Sequence, residues 1–251
     1  MHVETAGPVP VTRRAPAIER RFYIAIGLLA ILIASAGFLP GIVNGSGRTA
    51  PLTTLVVAHG AVYLMWLGLF VAQATLVATR RTQLHRRLGP LGALLAAAMI
   101  VLGYASAIAM GRRGFDLSGD LGVAADPLTF LVLPLGDLAA FTVLVGAALW
   151  FRRRPEIHKR LMLLATIGTL MPAPLAHFIG HTPQLRAHPA SIVIPIALLL
   201  SLSAIHDRVA KGRVHPVSLW VALALFAWSN LRAAVIGPSA AWHQFAGWLI
   251  G

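Results

Sequence analysis

The chain has no cysteine. That removes disulfides, thiolate metal sites, iron–sulfur clusters and cysteine nucleophiles together. Charge is also scarce: Asp, Glu, Lys and Arg make up 12% of 251 residues. A soluble globular domain carries about 25%, so too little polar surface exists to coat a water-soluble body. Acidic residues are the scarcest, eight against twenty-one Lys and Arg. No Gly-rich phosphate loop, Walker lysine or nucleophile elbow is present. No lysine is placed within a span for a retinal-type Schiff base, since Lys159 and Lys211 both fall in the basic segments at span ends. The basic segments lack interleaved aromatics, which argues against nucleic acid.

What is present is apolar. Hydrophobic residues reach 57% and the mean hydropathy is +0.76. This excludes disorder and points to an integral membrane protein. Seven apolar stretches are long enough, or nearly so, to span: 21–43, 53–78, 88–110, 127–150, 158–178, 189–206 and 216–236. None alternates as a barrel strand would, so an all-α, seven-helix integral membrane bundle is expected. Met171-Pro172-Ala173-Pro174 should kink the fifth span or end its regular hydrogen bonding early. Residues 1–20 read as a polar cytoplasmic tail and 21–236 as the transmembrane domain. The segment 237–251 holds Trp242, His243, Phe245 and Trp248, a spacing that suits a short interfacial helix.

The charges set an orientation. The segments 13–21, 80–87, 152–160 and 208–213 hold sixteen of the twenty-one basic residues. All four fall on one side of the seven-span arrangement. The positive-inside rule then puts the N-terminus in the cytoplasm and the C-terminus outside, as in a bacterial inner membrane. The expected partners are the bilayer and its anionic headgroups. An internal repeat marks the same side. Arg80-Arg81-Thr82-Gln83-Leu84-His85-Arg86-Arg87-Leu88 aligns on its histidine with Arg153-Arg154-Pro155-Glu156-Ile157-His158-Lys159-Arg160-Leu161, and Gly212-Arg213-Val214-His215-Pro216-Val217 is a weaker third copy. Either each cytoplasmic turn needs the same interfacial chemistry or a helix hairpin was duplicated.

Ionisable residues inside spans are few: His59, Asp137, His177 and Arg232, with His181 just beyond the fifth span. Their sequence depths place all four span residues in the outer half. His177 and His181, four apart, share a helix face. With His59 they would give three imidazoles for Zn or Cu and an open position for water. Asp137 would then orient a ligand or act as general base. His59 and His177 alone would suit a b-type haem, with Asp137 and Arg232 completing the cofactor pocket. The plainer alternatives are interfacial histidines bonded to loops, and an Asp137–Arg232 pair that fixes helix register, with Asn230 and Ser229 taking the remaining donors. His85, His158, His206 and His215 read as headgroup-level residues.

His59-Gly60-Ala61-Val62, Trp66, Phe70-Val71-Ala72-Gln73 and Leu84-His85-Arg86-Arg87-Leu88-Gly89 resemble a widespread uncharacterised bacterial multi-pass membrane family. Pro134-Leu135-Gly136-Asp137, the block from His158 to Thr166, and Gly212 to Pro216 look like further blocks of it. The resemblance runs from the first span to Trp248. It implies that His59, Asp137 and the His158 block belong to a recurring pattern, and that the stretch around His177 and His181 is less typical. It implies no activity. Three functions stay open: a haem- or transition-metal-binding redox protein, a zinc-dependent membrane hydrolase, and a non-enzymatic protein handling small solutes or lipid.

Overall fold

The computed structural model describes residues 15–43, 53–114, 126–186, 188 and 190–251. Among these, all regular structure is helical. The helices are α1 (Ala15–Val43), α2 (Thr54–Ala78), α3 (Thr82–Arg113), α4 (Pro127–Trp150), α5 (Pro155–Leu170), α6 (Pro172–Gly180), α7 (Pro183–Arg186), α8 (Ala190–Lys211), α9 (Pro216–Leu231) and α10 (Ala240–Ile250). A π-turn, Arg232–Ile236, extends α9. Seven of the spans so formed are long and apolar enough to cross a membrane.

Local chemistry explains several helix starts. Thr53 caps α2, Asp126 caps α4 and Ser239 caps α10, each accepting a backbone N–H of the first turn. Proline opens α4, α5 and α9 at a position whose N–H has no helical partner anyway. Several bounds move outward from the hydropathy reading. α1 begins at Ala15, six residues ahead of the apolar span that starts at Arg21, while 1–14 lie outside the described residues. α8 runs to Lys211, which takes Asp207 into the helix beyond His206. The reason is that hydropathy reports apolar length, whereas a helix continues as long as its hydrogen bonds do.

α5 is the hub. Leu161, Leu163, Leu164, Ala165, Thr166 and Ile167 are all buried, so this helix is covered around its whole circumference. α1, α2, α3, α4, α9 and α8 adjoin in that order around it. Their outer faces carry exposed Leu28, Leu32, Leu94, Val101, Val143 and Leu198, apolar surface that needs lipid rather than water.

The proline break between α5 and α6 occurs as the sequence implied. Pro174 has no N–H for the carbonyl of Leu170, and the hydroxyl of Tyr63 on α2 donates to that oxygen at 2.8 Å. α1 approaches the same bend closely. A Cβ on Gly37 would lie 2.2 Å from the carbonyl oxygen of Pro174. α10 folds back over α3 and α4. Trp242 Nε1 donates to Leu128 O at 2.7 Å, Thr129 Oγ1 meets His243 Nε2 at 2.9 Å, and Arg112 Nε donates to Ile250 O at 2.9 Å.

Candidate functional site

Two polar centres sit at the two ends of the bundle. The first joins Asp137 on α4 to Arg232 at the start of the π-turn. Pro134 interrupts α4 one turn before Asp137. Gly136 has no side chain, and a Cβ there would lie 2.7 Å from Arg232 Cδ. The guanidinium fills that space. Its Nη2 donates to Asp137 Oδ1 at 2.5 Å and its Nη1 to Leu133 O at 2.9 Å. Nε is buried without a hydrogen-bond partner. Trp228 Nε1 closes one side by donating to Gly136 O at 3.1 Å. The π-turn, closed by the 2.8 Å bond from Gly237 N to Arg232 O, widens the helix at the residue that carries the charge. Pairing of Asp137 with Arg232 is therefore as the sequence allowed. Asn230 plays no part, because its amide donates to Phe226 O on its own helix.

The histidines do not gather there. His59 Cε1 lies 3.8 Å from where a Gly103 Cβ would be, against α3. Its Nδ1 is buried with no partner. His177 lies against Phe38 of α1, ring centroids 4.9 Å apart. α6 does continue to Gly180, but His181 caps it, its Nδ1 at 2.7 Å from His177 O. A carbonyl only accepts, so that nitrogen carries the proton. Among the described residues no three His, Asp or Glu side chains come together as metal ligands. The three-imidazole site of His59, His177 and His181 is thus not assembled. Sequence depth placed the rings at one level, but helix rotation turns His59 to α3 and His177 to α1.

The second centre was not legible as a site. Arg160 is wholly buried, at 0% exposure. Its Nε donates to Asp207 Oδ2 at 3.0 Å and to Ser218 Oγ at 3.1 Å, and its Nη2 donates to Asp207 Oδ1. Its Nη1 donates to Glu156 Oε2 at 2.8 Å and to Glu156 O at 2.6 Å. Asp207 also accepts from Ser218 Oγ at 2.5 Å and from His215 N at 3.2 Å. Ser203, one turn before Asp207 on α8, meets Ser218 Oγ at 2.9 Å. A partly exposed layer covers this core. Lys211 Nζ lies 2.5 Å from Glu156 and 3.1 Å from Glu19, and Lys159 binds both carboxylates. Burial pushes the Glu19 carboxyl up, but Lys159 and Lys211 outweigh it and hold the group below its usual range.

His206 is likewise buried within the bundle. It is 6% exposed, stacks on Phe22 at 3.9 Å between ring centroids, and leaves Nε2 buried without a partner. His85 and His158, the equivalent positions of the two repeat copies, face each other with ring centroids 6.4 Å apart. His158 Nδ1 is committed to Ala148 O at 2.8 Å. The sequence signal for the second centre was present but faint: an aspartate and a serine four apart on α8, and an arginine a turn inside α5.

Between the two centres the interior is mostly apolar, with the buried hydroxyls of Thr166 and Thr169 bonded back to their own helix. Phe141, Leu144, Val145 and Ala148 follow Asp137 along α4 into the core, and all are buried. Leu200 and Leu225 press on Gly168 from α8 and α9, at 3.0 and 2.7 Å from where its Cβ would be. No protein-family model, curated protein or solved structure matches the chain.

Proposed function

We propose that this is a non-enzymatic, lipid-handling protein of the bacterial inner membrane. In this reading the N-terminus and the Arg160–Asp207 centre are cytoplasmic, the C-terminus is outside, and α10 lies at the outer interface. The carrying observation is that the intramembrane charges are spent on each other. Asp137 and Arg232 neutralise one another, and Arg160 and Asp207 do the same at the other end. Buried leucines and Phe141 fill the space between, which speaks against a solute path past Asp137. Apolar outer faces and a strongly basic rim then remain as the working surfaces.

The redox and zinc-hydrolase readings would need further imidazoles beside His59, whereas His177 lies against Phe38 and His181 Nδ1 is bonded to its own helix. Detergent-purified protein should show no Soret band and no stoichiometric metal, and native mass spectrometry should find retained phospholipid. A Soret band or one equivalent of metal would overturn the proposal. So would solute flux into proteoliposomes that is abolished by Asp137→Asn.

A further inference from the structure

A groove runs along α3 at the end of the bundle that carries α10. It is lined by Thr53 and Leu55 of the α2 start, by Tyr104, Ile108, Arg112 and Arg113 of α3, and by Leu249 of α10. Its volume is about 670 Å³, within the ~300–1,000 Å³ usual for small-ligand sites. The α3 residues recur one turn apart, so they form one stripe that reaches about 13 Å from Tyr104 to Arg113. The chemistry of the stripe changes along its length. Tyr104, Ala105, Ile108 and Ala109 offer apolar wall, and the helix then ends in two guanidiniums.

Both arginines are positioned by their inner nitrogens. Arg112 Nε is held by Ile250 O at 2.9 Å and Arg113 Nε by Ala109 O at 3.2 Å. Both side chains are exposed, and among the described residues no hydrogen bond takes their terminal nitrogens. Among the described residues no carboxylate lines the groove. Along the stripe the chemistry therefore changes from apolar wall to paired positive forks at the end of the helix.

We infer that this groove holds one anionic phospholipid, with an acyl chain along the Tyr104–Ala109 wall and the phosphate on Arg112 and Arg113. Planar guanidiniums bind phosphate oxygens in pairs, which a single ammonium does not. The inference rests on the lipid-handling reading and names the lipid class and its place.

The test uses the whole protein in nanodiscs and in detergent, with phosphatidylglycerol as probe and phosphatidylcholine as the zwitterionic control. Two variants separate head from tail. The double variant Arg112→Gln/Arg113→Gln removes the phosphate forks. Ala109→Trp fills the wall and leaves both arginines. Each should retain at least about tenfold less phosphatidylglycerol than the parent in native mass spectrometry, a loss of roughly 1.4 kcal/mol. Thermal unfolding of each variant should stay near that of the parent, because Arg112 and Arg113 are exposed and Ala109 lies half-buried on the open wall of the groove.

Inorganic phosphate at millimolar concentration should not displace the lipid. If it does, the site recognises free phosphate and the lipid assignment fails. Equal retention of phosphatidylcholine, or full retention by both variants, also overturns it. In the latter case the parent still holds lipid, so lipid handling survives and only this groove is lost. A parent that retains no lipid at all sinks both. A dimeric parent that becomes monomeric in the variants would place a second copy of the chain in the groove and overturn the inference.

Discussion

Arg160 on α5 and Asp207 on α8 form a two-pronged ion pair across forty-seven residues of sequence, with the side chains 0% and 1% exposed. Ser218, Glu156 and His215 satisfy most of the remaining hydrogen-bonding capacity, so the pair costs little once formed and much once broken. Asp207→Asn and Arg160→Gln should each destabilise the bundle by about 3–5 kcal/mol, since either leaves an uncompensated buried charge. Arg160→Lys should recover only part of this, because an ammonium cannot reach Asp207, Ser218 and Glu156 together. Denaturation in mixed micelles checks the order. A lysine variant as stable as the parent would show that charge, not fork geometry, is what α5 needs.

The Asp137–Arg232 pair offers a sharper contrast between structural and chemical roles. Asp137→Ala should cost about 3–5 kcal/mol by stranding the guanidinium. The double change Asp137→Leu/Arg232→Met should restore most of that loss, because an apolar pair of similar volume carries no desolvation penalty. If the double variant is no more stable than Asp137→Ala, the residues are not acting mainly on each other.

The bend between α5 and α6 is tied by two contacts that can be cut separately. Tyr63→Phe removes the only described hydrogen bond to the Leu170 oxygen that Pro174 cannot serve, at a cost of roughly 1–3 kcal/mol. Gly37→Ala forces a methyl onto the Pro174 carbonyl and should cost about as much, through displaced backbone. Because both act on the same bend, their effects should not add. Simple additivity in unfolding experiments would mean that α1 and α2 hold the bend independently.

His215 should make stability depend on pH. Its Nδ1 accepts the N–H of Val217 at 3.1 Å and so caps α9 only when unprotonated. Burial first, and then Arg160 and Lys211, hold the imidazole below its ordinary 6.5, while Asp207 and Glu156 pull the other way. The folded protein thus binds fewer protons than the unfolded chain near that pH. The cap contribution is complete above pH 6.5 and is lost as pH falls. A cap of this kind is worth about 0.5–2 kcal/mol. His215→Asn keeps an acceptor without titrating, so its Tm should fall less than that of the parent between pH 8 and 5.5. Parallel curves would rule the cap out as the source.

Orientation is open to direct labelling, because the chain has no cysteine to remove. Single cysteines at Gln83 and Arg153 should react with an impermeant maleimide only after cells are permeabilised. Cysteines at His188 and Gly251 should react in intact cells. The reverse pattern would invert the proposed topology.

Much of this architecture could be read from the sequence, and the boundary has a physical cause. Apolar runs of membrane length demand helices because the backbone must satisfy itself there, so seven spans follow from composition and order alone. The kink at Pro172 and Pro174 follows in the same way, and so does the availability of Asp137 for Arg232, as complementary rare charges in adjoining spans. Only the tertiary structure decided which faces meet. A helix that is apolar all round carries no stripe to report its rotation, so His59 and His177 looked like partners by depth yet turn to different neighbours. Arg160 looked like one more rim cation, although packing of α5 against α8 and α9 buries it completely against Asp207. Composition and order thus set the number of the spans. Their rotations, which no local interaction specifies, set the sites.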